Sequence, residues 1–182
     1  MKFNIKFRAF QKGDEIFINA LRRNEDMEAK IGGVKRMVSI DREEKWVHDI
    51  IMNDNQSELY FAITEDASDE MIGYTSISEI DYRNGSCFWS GIKISPAMSG
   101  KGYGFETALR VVKHVFEEMR MVRCMAMCQE DHAVAMKLLI KTGYKKEGLM
   151  RKFLYKNGMH INEWLLSLTD DDYVGIKQKF DL

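Results

Sequence analysis

The residues best suited to chemistry are six in a row, Ser99-Gly100-Lys101-Gly102-Tyr103-Gly104. Glycine at every second position lets a backbone turn tightly and approach a ligand closely. Behind them Phe105, Ala108, Leu109, Val112, Val115, Phe116 and Met119 form an apolar stripe of helical period, with Glu106, Arg110, Lys113, Glu117 and Glu118 opposite. A helix that starts there aims unpaired N–H groups and its positive dipole end back at the loop. Together these make a phosphate site, and Lys101 adds a positive charge beside it. The spacing is Gly-x-Gly-x-Gly, not the dinucleotide Gly-x-Gly-x-x-Gly, and no Gly-Lys-Ser/Thr ending follows. A plain glycine-rich turn before a helix is the competing reading.

Candidate acids and bases are scattered along the chain. Glu79 and Asp81 end a strand that begins at Met71, each a candidate base or an ordinary surface carboxylate. Tyr74 on the same strand either lines a pocket or packs. His160 and Glu163 share the last hairpin, and His160 has an intrinsic pKa suited to proton transfer. Glu25, Asp26 and Glu28 can attract a cation or form a solvated loop. The three cysteines, Cys87, Cys124 and Cys128, read as buried thiols of a reducing cytoplasm. No further ligand has metal-site spacing, so no metal is expected. The 13 methionines read as core filler.

The elements that must position these residues are mixed. Phe3–Phe10 reads as a strand. Asp14 opens a helix with the stripe Ile16, Phe17, Ala20 and Leu21. An irregular polar stretch covers 24–39. Asp41 caps a second helix with Trp46, Val47, Ile50 and Ile51 inward. Strands follow at 59–64, 71–82 and 86–95, the last two turning at Asn84-Gly85, and Pro96 ends the third. After the loop and its helix come a strand at 122–128 and a helix capped by Asp131 and stopped by Gly143. A hairpin turning at Asn157-Gly158 and a polar tail close the chain.

With 182 residues, 45% apolar and 30% charged, the chain reads as one domain, residues 1–182, of class α/β. A net charge of -1 gives no general attraction to nucleic acid or anionic membrane. No apolar run is long enough to span a bilayer, and Met1–Arg8 has no signal-peptide core.

Taken together, the motifs resemble the GNAT superfamily of acetyl-CoA-dependent N-acetyltransferases. Ser99–Gly104 matches the family loop Gln/Arg-x-x-Gly-x-Gly/Ala except at its first position. The segment 132–144 is similar to the family's Asn-x-x-Ala/Ser…Gly-Phe stretch. Glu147-Gly148-Leu149-Met150-Arg151, Asn157-Gly158, Glu163 and Asp172-Tyr173 resemble the branch of ribosomal-protein N-terminal and spermidine N-acetyltransferases. The resemblance implies a mixed, mostly antiparallel twisted sheet flanked by helices, and acetyl-CoA as donor. It implies that Ile92 and Ile94 offer backbone groups to pantetheine, one of them, Ile92 first, also facing the oxyanion. The pyrophosphate would lie on N–H groups from Gly100 to Phe105, with Ser99, Lys101, Gly102, Tyr103, Gly104, His132 and Leu139 around the donor. Glu25, Tyr74 and His160 would border the acceptor, a primary amine of a protein N-terminus, a polyamine or an amino sugar, and Glu79, near the family's acceptor sites, would be the first choice of general base.

Four positions depart from the family pattern. Ser99 replaces Gln or Arg, His132 replaces Asn, Leu139 stands where many members carry an acid tyrosine, and Trp89 stands near a family Glu. Ala135 also replaces a Ser common in the ribosomal-protein branch. A non-catalytic acetyl-CoA-binding protein of the same fold is therefore the alternative. The expected setting is the cytoplasm, without nucleic-acid or membrane partners, and with a homodimer as an allowed assembly.

Overall fold

The computed structural model describes residues 2–31, 36–53 and 57–182. Seven strands form one sheet: β1 (Ile5–Arg8), β2 (Leu59–Glu65), β3 (Met71–Asp81), β4 (Ser86–Ile94), β5 (Arg123–Gln129), β6 (Lys145–Lys156) and β7 (Met159–Thr169). Their order is β1-β2-β3-β4-β5-β7-β6. Every neighbouring pair is antiparallel except β4 and β5, which run parallel. The expected mixed, mostly antiparallel sheet is thus the observed one.

The hairpins lie where their turn residues require. At the β6–β7 turn Asn157 and Gly158 both have positive φ, 49° and 81°, which suits the right-handed twist of the strands they join. At the β3–β4 turn the Asp81 carboxylate accepts from the N–H groups of Arg83 and Asn84, both at 2.9 Å. The parallel β4–β5 pair needs a long crossover. The glycine loop and α4 (Tyr103–Lys113) supply it, and α4 continues into a π-helical turn at His114–Glu118.

Helices α1 (Asp14–Arg22), α2 (Glu25–Lys30) and α3 (Ile40–Ile51) precede β2, while α5 (Ala133–Lys141) and α6 (Asp170–Phe180) lie in the second half. Several local expectations shift. The inward face of α1 is Ile18 and Leu21, and Ile16 is 67% exposed, because the chain after β1 enters the helix rotated from the predicted stripe. Part of the expected irregular stretch is α2, started by Asn24 accepting from Met27 N–H at 2.9 Å; residues 32–35 of that stretch lie outside the described residues. The cap of α3 is Ser39 rather than Asp41, and Ile51 faces outward. The cap of α5 is His132 rather than Asp131.

Two of the three apolar clusters among the described residues cover opposite faces of the sheet; the third is Ile5, Ile63 and Ile72. On one, α4 and Leu139 of α5 pack with Ile77, Trp89, Cys124, Ala126, Cys128, Leu166 and Leu168, joined by Tyr173 and Ile176 of α6. On the other, Ile18, Leu21 and Val47 of α1 and α3 pack on Ala62 and Tyr74, where Phe10, Trp46, Tyr60 and Tyr74 meet edge to face. All three cysteines are free and buried.

Candidate active site

The site begins with a fault in strand pairing. β4 and β5 are paired only over Ser86–Phe88 and Arg123–Met125, and beyond these residues they part. The cause lies in β4. Ile77 pairs with Trp89 and Thr75 with Ile92, so Ser76 alone faces the two residues Ser90 and Gly91, which is a β-bulge. A buried relay fixes it. The Trp89 indole N–H donates to Thr75 Oγ1 at 2.8 Å, and Thr75 Oγ1 donates to the Gly91 carbonyl at 2.8 Å. Past the bulge β4 follows β3 while β5 follows β7. A cleft of about 910 Å³ opens between them, and the β4 edge at Ile92 and Ile94 faces into it without a strand partner on that side.

The glycine loop closes one end of this cleft. After a single 3-10 turn at Pro96–Met98, Ser99, Gly100 and Gly102 line the wall. Gly102 is the residue before α4 and has φ +83°, a left-handed conformation that side chains disfavour. Gly104, in the first turn, sits where a Cβ would touch Ile92 Cδ1 at 3.4 Å, so the helix start and the open strand edge lie side by side. The N–H groups of Phe105 and Glu106 return to the Gly102 carbonyl at 3.0 and 3.1 Å. The first-turn N–H groups of Tyr103 and Gly104 have no intrahelical acceptor and remain for an anion. Phe105 thus lines the cleft by its side chain, and its N–H is already used.

This helix start is held firmly. Glu106, 7% exposed, accepts from both the N–H and the Nδ2 of Asn4 at 2.7 Å. Phe105 packs edge to face on Phe180 with ring centroids 5.2 Å apart. Lys101 turns away from the cleft, 3.5 Å from Glu65, whose carboxyl also accepts from the Tyr103 hydroxyl. Those hydrogen bonds, that of Tyr103 first, hold Glu65 below its usual range.

Helix α5 forms the wall opposite β4. His132 caps it, its Nδ1 accepting from Ala135 N–H at 3.5 Å, and burial together with Lys30 lowers its pKa, which favours the neutral ring. Leu139, 5% exposed, presents an apolar surface to the cleft, as its type requires. Lys141 Nζ sits 3.8 Å from the centroid of the Phe105 ring.

The cleft passes through the sheet, and its other mouth is polar. Tyr74 lines it while its ring packs on Phe10, and Lys93 Nζ lies 5.6 Å from the Tyr74 centroid. Burial pushes the Tyr74 hydroxyl up and the Lys93 ammonium down, the latter opposed by Glu28 at 3.4 Å. Asp26 and Lys30 of α2 stand on the rim. Across from them, Gln129 of β5 and Glu163 of β7 are directly paired, both 6% exposed and both in the wall. Burial raises the Glu163 carboxyl above the ordinary glutamate range.

The structure therefore brings Tyr74, Ile92, Ile94, Ser99, Gly100, Gly102, Tyr103, Gly104, Phe105, His132 and Leu139 to one cleft. It does not bring Glu79, Glu25, His160 or Lys101 into that wall. Glu79 is exposed with φ 50°, in the irregular end of β3. Glu25 is exposed at the start of α2, and its neighbour Asp26 takes the rim position. His160 packs tilted against Tyr155, ring centroids 5.0 Å apart, near the hairpin tip. Gln129 and Lys93 are cleft residues that sequence reasoning missed. The signal for Gln129 was a polar residue ending the alternation Met125, Met127, Gln129, and for Lys93 a charge between the apolar Ile92 and Ile94.

Residues 4–145 match the family model described as the acetyltransferase (GNAT) domain. The chain is 28% identical over 115 residues, 63% of its length, to the uncharacterized N-acetyltransferase p20 of Bacillus licheniformis, of which the match spans 64%, just under two thirds. It is 25% identical over 117 residues, 64% of this chain and 60% of the relative, to the ribosomal protein uS5-alanine N-acetyltransferase of Escherichia coli. The fold is similar to a crystal structure of spermidine N-acetyltransferase from Vibrio cholerae in complex with CoA and spermine, with TM-score 0.85, 21% identity, and coverage of 94% of this chain and 98% of that one. A sheet parted at its one parallel pair, a glycine loop at the following helix, and a sequence match over most of the length lead to one conclusion: the chain belongs to the GNAT acetyltransferase family.

Proposed function

We propose that the protein transfers the acetyl group of acetyl-CoA to a primary amine by direct attack in a ternary complex. The observation that carries this is the cleft itself, which runs between β4 and β5 and has a different character at each face. The glycine loop and α5 lie toward one face, and Tyr74, α2 and Glu163 toward the other. Donor and acceptor can then enter from opposite sides and meet at the bulge.

Acetyl-CoA would supply a thioester, already activated toward an amine. The backbone of Ile92 and Ile94 pairs with the amides of its arm as an added strand would. The N–H groups of Gly100, Gly102, Tyr103 and Gly104 take the diphosphate, and Ser99 adds a hydroxyl. The Ile92 N–H polarises the carbonyl as charge develops on its oxygen. Glu163 accepts the amine proton, directly or through one water. This replaces Glu79 in that role, because Glu163 is in the cleft wall and Glu79 is not. Leu139 donates no proton, so the departing thiolate takes one from solvent, which a thiol pKa of about 8.5 permits. The free, buried cysteines support a reducing cytoplasm as the setting.

The test mixes protein, acetyl-CoA and a panel of protein N-terminal peptides, spermidine and amino-sugar nucleotides. Thiol release and product masses are read. Turnover of at least one amine is expected. Binding of acetyl-CoA without turnover of any amine would make the protein a binding module instead. In parallel, Gly102→Val should abolish calorimetric acetyl-CoA binding, because it places a β-branched side chain at a left-handed position beside the phosphate donors. Unchanged affinity would remove the loop from the donor site.

A further inference from the structure

Gln129 carries an unusual group. It is 6% exposed and part of the cleft wall, yet its Nε2 is buried with no hydrogen-bond acceptor among the described residues. Its direct cross-strand partner is Glu163. Directly opposed residues of an antiparallel pair share one face, with Cβ atoms about 4.5–5.5 Å apart. The wall thus sets a buried amide N–H that lacks an acceptor beside one carboxylate. Buried donors are normally paired, and one left open in a binding wall is a place where a ligand's acceptor belongs.

The backbone beside this pair is fixed. The Asn162 carbonyl accepts from Glu130 N–H at 3.1 Å, Asn162 Nδ2 donates to Glu130 at 2.8 Å, and Asn162 Oδ1 accepts from Lys152 N–H at 2.8 Å. The neighbouring buried carboxylates are already committed. Glu28 lies 3.4 Å from Lys93, and Glu43 lies 2.7 Å from Arg22. Asp26 stands exposed on the rim. Of the two carboxylates that line the cleft, Asp26 and Glu163, Glu163 is the buried one, and no ion pair holds it among the described residues. It suits one ammonium rather than a string of them.

Building on the transferase reading, we propose that the acceptor is an amine with a carbonyl on the adjacent carbon, an α-aminoacyl group. Its nitrogen is held by Glu163, and its carbonyl oxygen accepts from Gln129 Nε2. A peptide N-terminus and a free amino-acid amide both present this group. A polyamine has no carbonyl for Gln129, and its further ammonium groups would meet Lys30 and Lys93.

The experiment measures kcat/KM by thiol release for L-alaninamide, Ala-Gly-Gly, isopropylamine and spermidine, with wild-type protein, Gln129→Met and Gln129→Leu. Isopropylamine is alaninamide with a methyl in place of the carboxamide. The two amines differ in basicity, so the readout is the change in their ratio between proteins. Both substitutions remove the donor, and each should cut the alaninamide-to-isopropylamine ratio by about tenfold. Calorimetric CoA binding and thermal melting verify that each variant is folded. Ala-Gly-Gly equal to alaninamide supports recognition confined to the first residue; Ala-Gly-Gly faster supports a peptide as the source. A ratio unchanged within about twofold in a folded variant, or spermidine as the best substrate, overturns the α-aminoacyl assignment alone. No thiol release with any amine, while acetyl-CoA still binds, overturns the transferase reading and this inference with it.

Discussion

A carboxylate that removes a proton from an ammonium works best when its own pKa lies near the operating pH. Burial moves Glu163 in that direction. The same shift has a stability cost with a defined sign. Between the unfolded glutamate value of about 4.3 and the higher folded value, the folded state binds more protons than the unfolded one. Stability therefore falls as pH rises through that window. Glu163→Gln should melt higher than wild type at neutral pH, and the gain should vanish below about pH 4. The same variant should lower kcat/KM by about a hundredfold and lose the acid limb of its pH profile. A pH profile unchanged in shape would remove Glu163 from proton transfer. At this scale the sequence was informative about type but not about place. Glu79 and Glu163 were both candidates in the chain, and only one of them reaches the cleft.

At the scale of elements, the bulge in β4 decides where the site opens. Thr75 both accepts from Trp89 and donates to Gly91. Thr75→Val keeps the shape but leaves a buried indole N–H without an acceptor, which costs about 1–3 kcal/mol. It also frees the Gly91 carbonyl, so calorimetric acetyl-CoA affinity should fall several-fold. Trp89→Phe removes the stranded donor. The double variant should be destabilised by less than the sum of the two singles, and strict additivity in denaturant melts would deny the relay. The hairpin turns and the glycine loop were legible beforehand because they depend on a few consecutive residues. The bulge was not, because it arises from a count of residues on two strands joined across a turn.

Taken whole, the molecule ties its last helix to its donor loop. Phe180 of α6 supports Phe105 of α4, and Glu117 accepts from the Tyr173 hydroxyl at 2.8 Å. Phe180→Ala should lower stability by about 1–2 kcal/mol, less than for a fully buried ring because Phe180 is half-buried. It should also weaken CoA binding, by freeing the first turn of α4. A stability loss with unchanged CoA affinity would confine Phe180 to packing. The described residues include no helix long and apolar enough to cross a membrane.

The sequence by itself determined the local pieces: alternation marked the strands, helical period marked α4, and Asn157-Gly158 marked the last turn. Glycines 100, 102 and 104 marked a loop for anions, because φ preference and helix polarity are properties of neighbouring residues. The resemblance carried by those motifs extended this to the family. Only the tertiary structure decided what faces the acceptor. The chain order β6 then β7 becomes β5-β7-β6 in space, which sets Glu163 beside Gln129, 34 positions earlier (163 minus 129). Periodicity states which way a side chain points, not which strand lies next to it. Strand order is chosen by burial of whole faces, a sum over residues far apart in the chain.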